Sequence, residues 1–180
     1  MGFHMRLSTG RKASPIGDIV LVWDEREALR VLDFSDYEMR MTTLLRLHYG
    51  AVELKEKQPP ATIAVTLDRY FAGDIAAIDS LEVATGGTEF QKRVWAALRT
   101  IPPGATESYG ALAQRLGTPK AVRAVGGANG ANPIGIVVPC HRVIGSNGTL
   151  TGYGGGLHRK QWLLAHETAH CGARNLFSNR

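Results

Sequence analysis

The chain has 180 residues, 44% apolar and 21% charged, with a formal net charge of +5 and a pI near 9.5. That length suits one domain or two small ones, and the composition supports a packed core, which excludes a disordered or low-complexity chain. The basic balance admits an acidic partner such as nucleic acid without requiring one; two cysteines, Cys140 and Cys171, are too few for a disulfide framework, and no run approaches the ~20 apolar residues of a membrane span.

The residues up to Lys12 lack the apolar stretch of a signal peptide, so a reducing, cytoplasmic setting is expected, in which a free thiol survives. Residues 19–23, IVLVW, follow the turn Ser14-Pro15-Ile16-Gly17 and read as a strand; residues 29–34, LRVLDF, read as its partner across the charged connection 24–27. Residues 37–47 and 61–71 read as helices, with Ala64, Leu67 and Phe71 on the inner face of the second. Nothing in this part carries chemistry, and it reads as a scaffold. Residues 72–87 read as a linker. The expected organisation is therefore a domain at 1–85, a second at 86–170 and a tail at 171–180.

The texture changes at Thr88. Thr88-Glu89-Phe90-Gln91 has the spacing of a capping box, and Phe90, Val94, Leu98 and Ile101 follow at helical period until Pro102-Pro103-Gly104 stops the helix. Two short helices are expected next, at 109–116 and 120–129. Gly117 makes the turn between them, with Thr118 as N-cap and Pro119 at the first helical position. This is the pattern of a helix-turn-helix. The second helix is nearly bare: Ala121, Ala124, Gly126, Gly127 and Ala128 carry no bulk, while Lys120 and Arg123 project charge. Glycine inside a helix costs about 1 kcal/mol relative to alanine, so a bare face needs a reason. Either another backbone approaches it closely, or the helix packs tightly within the protein.

Residues 134–138 form an apolar run that reads as a buried strand ended by Pro139. Cys140 emerges there with His141 directly behind it. An imidazole near a thiol favours the nucleophilic thiolate, yet side chains at i and i+1 diverge, so a bridging water or a turn is needed between them. A carboxylate normally holds the other ring nitrogen. Beyond a turn at 144–148, Gly152-Tyr153-Gly154-Gly155-Gly156 reads as a loop beside the thiol, followed by a helix at about 159–166 with Glu167 near its end.

Pro139-Cys140-His141-Arg142-Val143, preceded by Arg123-Ala124-Val125-Gly126-Gly127-Ala128-Asn129 and Asn132-Pro133 and followed by Tyr153-Gly154-Gly155-Gly156, resembles the O6-alkylguanine-DNA alkyltransferases, also called methylated-DNA–protein-cysteine methyltransferases. The resemblance is dense from about Thr88 to Glu167 and weaker before it. It implies an α+β protein: a ribonuclease-H-like α/β domain, then a mostly helical domain like a winged helix-turn-helix that carries the cysteine. It also implies a single-turnover reaction in which Cys140 takes the alkyl group of O6-alkylguanine, chiefly O6-methylguanine, with O4-methylthymine as a further substrate. His141 would take the thiol proton through a water, Glu167 would orient His141, and Asn132 would support the network. Tyr109 would hydrogen-bond the guanine, and Arg123 would fill the gap left by the extruded base. Lys120, Ala124, Gly126 and Ala128 would face the minor groove. Pro139, Val143, Tyr153 and Gly154 would wall the pocket. The implied partner is double-stranded DNA bearing the lesion. A monomer with no cofactor, no metal and no membrane attachment is expected.

Three other readings compete. A cysteine hydrolase would use Cys140 and His141 but has no need of the bare, arginine-bearing helix. A non-catalytic lesion sensor or helix-turn-helix regulator would bind without reacting. A metal site at His166, His170 and Cys171 has workable helical spacing but lacks a fourth ligand at the usual distance along the chain.

Overall fold

The computed structural model describes the backbone of residues 4–175 and the side chains of residues 4–171. Strands β1 (Met5–Lys12), β2 (Ile19–Trp23), β3 (Leu29–Phe34) and β4 (Val52–Glu56) form a sheet in the order β3-β2-β1-β4. β1–β2 and β2–β3 are antiparallel, and β4 returns parallel to β1 after helix α1 (Glu38–Tyr49). The unbroken apolar sequence of β2 follows from its burial on both faces. Val20 and Val22 pack with Leu7, Val31, Met41 and Leu45 beneath α1. Ile19, Leu21 and Trp23 face the other way, into the main core.

That main core also takes helix α2 (Ala61–Phe71). Its buried face is Ile63, Thr66, Leu67 and Tyr70, turned by one residue from the expected face through Ala64 and Phe71. The expected linker is packed: Ile75, Ala77 and Ile78 are buried in a short 3-10 helix over Ile75–Ser80. Leu29 of β3 then exchanges backbone bonds with Glu82 and Ala84. The sequence reading missed β1 and β4, because their polar side chains give no alternating pattern.

The second part begins with helix α3 (Glu89–Leu98). Its capping box is present in both halves: Thr88 Oγ1 accepts from the Gln91 N–H at 3.1 Å, and Gln91 Oε1 accepts from the Thr88 N–H at 3.0 Å. Strand β5 (Glu107–Ser108) leads into helix α4 (Tyr109–Arg115), N-capped by Ser108 Oγ. Helix α5 (Val122–Gly130) starts later than the sequence suggests, and Thr118 does not cap it. Gly117 takes a left-handed conformation at φ 73° and bonds back to Gln114, while the Thr118 N–H bonds to Ala113. This is a Schellman ending for α4, and it commits Thr118 to the first helix.

Strand β6 (Val143–Ile144) pairs in parallel with β5. Helix α6 (Leu157–Asn175) is longer than expected at both ends and runs into the segment expected to be a tail; residues 176–180 lie outside the described residues. The two parts meet along β3. Leu32 donates to Pro133 O at 3.0 Å and accepts from the Gly135 N–H at 2.9 Å. The free edge of the sheet is thus covered by the segment that leads to Cys140. No described helix is long and apolar enough to cross a membrane.

Candidate active site

Residues 134–138 are buried as expected, but they form a tight turn instead of a strand. Val137 N–H bonds to Gly135 O, Val138 N–H to Ile134 O, and Ile136 sits at φ 69°. A buried apolar run does not distinguish these shapes by pattern alone. A β-branched residue at positive φ is strained by about 1–3 kcal/mol, so the surroundings must hold it. Asn132 does so. Its Nδ2 donates to Val138 O at 2.8 Å and its Oδ1 accepts from the Ile134 N–H at 2.9 Å.

The chain then turns through a 3-10 helix over Cys140–Arg142, buried at every residue. His141 Nε2 donates to Glu167 Oε1 at 2.8 Å. The same carboxylate accepts from Arg142 Nε and Nη2 at 2.8 and 2.9 Å and from the Tyr70 hydroxyl at 2.8 Å. Burial would raise the Glu167 carboxyl, but the hydrogen bonds from His141 and Arg142 and the Arg142 charge overcome this and hold it far below the ordinary carboxylate range. With Nε2 carrying its proton toward Glu167, a neutral His141 keeps its lone pair on Nδ1. That atom is buried and has no hydrogen-bond partner in the protein. Cys140 is 6% exposed, and burial pushes its thiol up. The nearby Asn132 amide and the charges of Arg40 and Lys160 pull it partly back.

Cys140 opens onto a cavity of about 20 Å³ walled also by Asn129, Tyr153, Gly154 and Arg40. Such a space holds roughly one water and is far smaller than a purine base. Arg40 of α1 clamps its rim: it pairs with buried Asp33 at 2.6 Å and donates to the carbonyls of Gly130 and Asn132 at 2.8 and 3.1 Å. A Cβ built on Gly154 would lie 2.7 Å from this guanidinium, so the glycine admits Arg40. Lys160 is fully buried and donates to the carbonyls of Val143 and Thr151, tying down the loop before Tyr153.

Residues 89–169 match the family described as 6-O-methylguanine DNA methyltransferase, DNA binding domain, and residues 10–85 match 6-O-methylguanine DNA methyltransferase, ribonuclease-like domain. The chain belongs to the 6-O-methylguanine DNA methyltransferase family. It is 54% identical over 165 residues to a methylated-DNA–protein-cysteine methyltransferase of Salmonella typhimurium, covering 91% of this chain and 96% of that protein. It is 48% identical over 154 residues to one from Methanosarcina acetivorans, covering 86% and 94%. Its structure is similar to that of Mycobacterium tuberculosis OGT in complex with DNA, with a TM-score of 0.77 and 40% identity over 91% of this chain and 94% of that one.

In this methyltransferase-family chain, Cys140, His141, Asn132 and Glu167 come together, with Tyr153 and Gly154 at the cavity wall. Pro139 and Val143 are buried and are not among the residues that line the cavity. Tyr109 also lies outside the lining, half-buried at the start of α4 beside Gly126. Lys120, Arg123 and Ala124 are exposed and Gly126 half-buried. Ala128 is 4% exposed, so it serves the core; its carbonyl accepts from Trp95 Nε1 at 2.8 Å. A Cβ on Gly127 would meet nothing within 4 Å, and one on Gly126 only the Tyr109 ring at 3.9 Å. Internal packing therefore does not explain these glycines.

Tyr70, Asp33, Arg40, Arg142 and Lys160 carried no assigned role in the sequence reading. Arg142 was visible inside the cysteine motif, but the others lie on elements whose periodicity reports only core. His166 Nε2 is hydrogen-bonded to Tyr70 O and His170 Nδ1 to His166 O. Among the described residues, no group of three His, Cys, Asp or Glu could hold a metal ion.

Proposed function

We propose that this protein repairs DNA by direct reversal, moving the alkyl group of O6-alkylguanine, chiefly O6-methylguanine, onto Cys140. The observation that carries this is the buried pairing of His141 with Glu167 directly beside buried Cys140, with His141 Nδ1 unpartnered in the protein. The Cys140 proton passes to Nδ1 through a water. The thiolate attacks the alkyl carbon, the S–C bond forms, and the C–O6 bond breaks with its electron pair leaving on the guanine. The departing base takes a proton from the Tyr109 hydroxyl, which solvent replaces. A thioether is not reversed by thiol–disulfide exchange, so each molecule reacts once. O4-methylthymine is proposed as a poorer substrate.

A base within the duplex hides its O6 substituent, so the nucleotide must be flipped out at a cost of a few kcal/mol. Arg123, exposed on α5, is the proposed wedge that fills the gap. Lys120, Ala124 and the bare surface at Gly126 would lie along the minor groove, with phosphate contacts giving a salt-sensitive, sequence-tolerant affinity. We assign lesion binding and transfer to residues 86–170 and support of the site to residues 1–85, in a cytoplasmic monomer. Incubation with a duplex bearing one O6-methylguanine, followed by intact-mass analysis, tests the reading. One methyl gained on the protein at Cys140, and none on Cys140→Ala, is expected. Tight binding with no mass change would leave a lesion sensor.

A further inference from the structure

We propose that Asn129 determines base specificity, its Oδ1 accepting a hydrogen bond from the 2-amino group of the extruded guanine. This rests on the repair reading above. Asn129 sits in the last turn of α5, is 4% exposed and lines the same cavity as Cys140. Its Nδ2 faces the Cys140 carbonyl at 3.5 Å, a long contact. The reversed amide would set two acceptor oxygens against each other, so this contact fixes the orientation. Oδ1 is then buried with no hydrogen-bond partner.

Two neighbouring polar side chains on the cavity wall, Asn132 and Asp33, are already committed. Asn132 spends both ends of its amide on the backbone, and Asp33 is paired with Arg40. The Asn129 acceptor is left for an incoming donor. An O6-alkylated guanine has lost its N1 proton, and N3 and N7 are acceptors. The 2-amino group is the base's remaining N–H donor, and it satisfies Oδ1. An O4-alkylated thymine has no N–H donor on its ring and would leave Oδ1 unpaired. A site built to hydrogen-bond a substrate group rejects the analogue lacking it, because its own buried partner is stranded.

The test compares rates of methyl transfer from duplexes containing O6-methylguanine and O6-methylhypoxanthine, which differ only in the 2-amino group. The natural protein is expected to prefer O6-methylguanine by about tenfold, the size of one net hydrogen bond. In Asn129→Leu the preference should fall to about twofold or less, with the hypoxanthine rate changing least. Equal rates in the natural protein overturn the proposal without need of a variant, and point to water as the partner of Oδ1. A preference that survives in Asn129→Leu, with both rates lowered in parallel, also overturns it and makes Asn129 a structural support of the Cys140 carbonyl. Asn129→Ser, smaller and unable to reach the same point, carries the comparison if the leucine protein does not fold. Failure of the natural protein to accept methyl from O6-methylguanine would instead refute the repair reading itself.

Discussion

Residues 4–85 and 89–169 bury polar groups for different ends. In the first part the central strands β2 and β3 are apolar, and the buried carboxyl of Asp33 is held by Arg40. In the second, His141, Arg142, Lys160 and Glu167 are all essentially inaccessible and hydrogen-bonded to one another or to backbone carbonyls. Yet the first part reaches into the second. Tyr70 of α2 completes the Glu167 cluster, Arg40 of α1 holds the carbonyls of Gly130 and Asn132, and Leu32 of β3 pairs with the turn before Cys140. The sheet part is therefore more than a passive support: it sets the geometry of the thiol's surroundings.

The sharpest way to break this contrast is Arg142→Ala. It strips a bidentate partner from fully buried Glu167, and removing one member of a buried pair costs about 3–5 kcal/mol, to be read by denaturant unfolding. Tyr70→Phe carries the same question across the boundary. Losing one hydrogen bond to a charged group should cost about 1.5–3 kcal/mol and slow methyl transfer, though Tyr70 lies in the first part. A loss of stability with an unchanged transfer rate would restore the scaffold view.

The acid limb of stability sharpens the contrast further. The Glu167 carboxyl is depressed in the folded state, so its stabilisation is complete above the unfolded carboxylate range, near about pH 4.3. It is lost progressively as pH falls below that range. Glu167→Gln should show a shallower fall in unfolding free energy across that window. The smallest effect on stability is expected from exposed Arg123. Arg123→Ala should leave unfolding within about 0.5 kcal/mol of the parent. It should weaken lesion binding, measured by titration with duplex at several salt concentrations.

Much of this was legible in the sequence, because the signals were local. The capping box at Thr88, the apolar strands β2 and β3, the paired helices α4 and α5 and the cysteine motif each rest on neighbouring residues. The polar strands β1 and β4 were invisible, because a strand paired within a sheet needs no apolar pattern where its side chains meet solvent. Residues 134–138 read as a strand because burial, not shape, dictates an apolar run.

The sequence by itself determined which groups are present: a thiol, an imidazole, a carboxylate, a bare helix and a basic surface. Tertiary structure decided which of them touch. Tyr70 and Glu167 are 97 residues apart, and Arg40 and Asn132 are 92 apart. No local period encodes such pairs. They form because a buried charge or acceptor must find a partner from whatever element the packed core brings beside it.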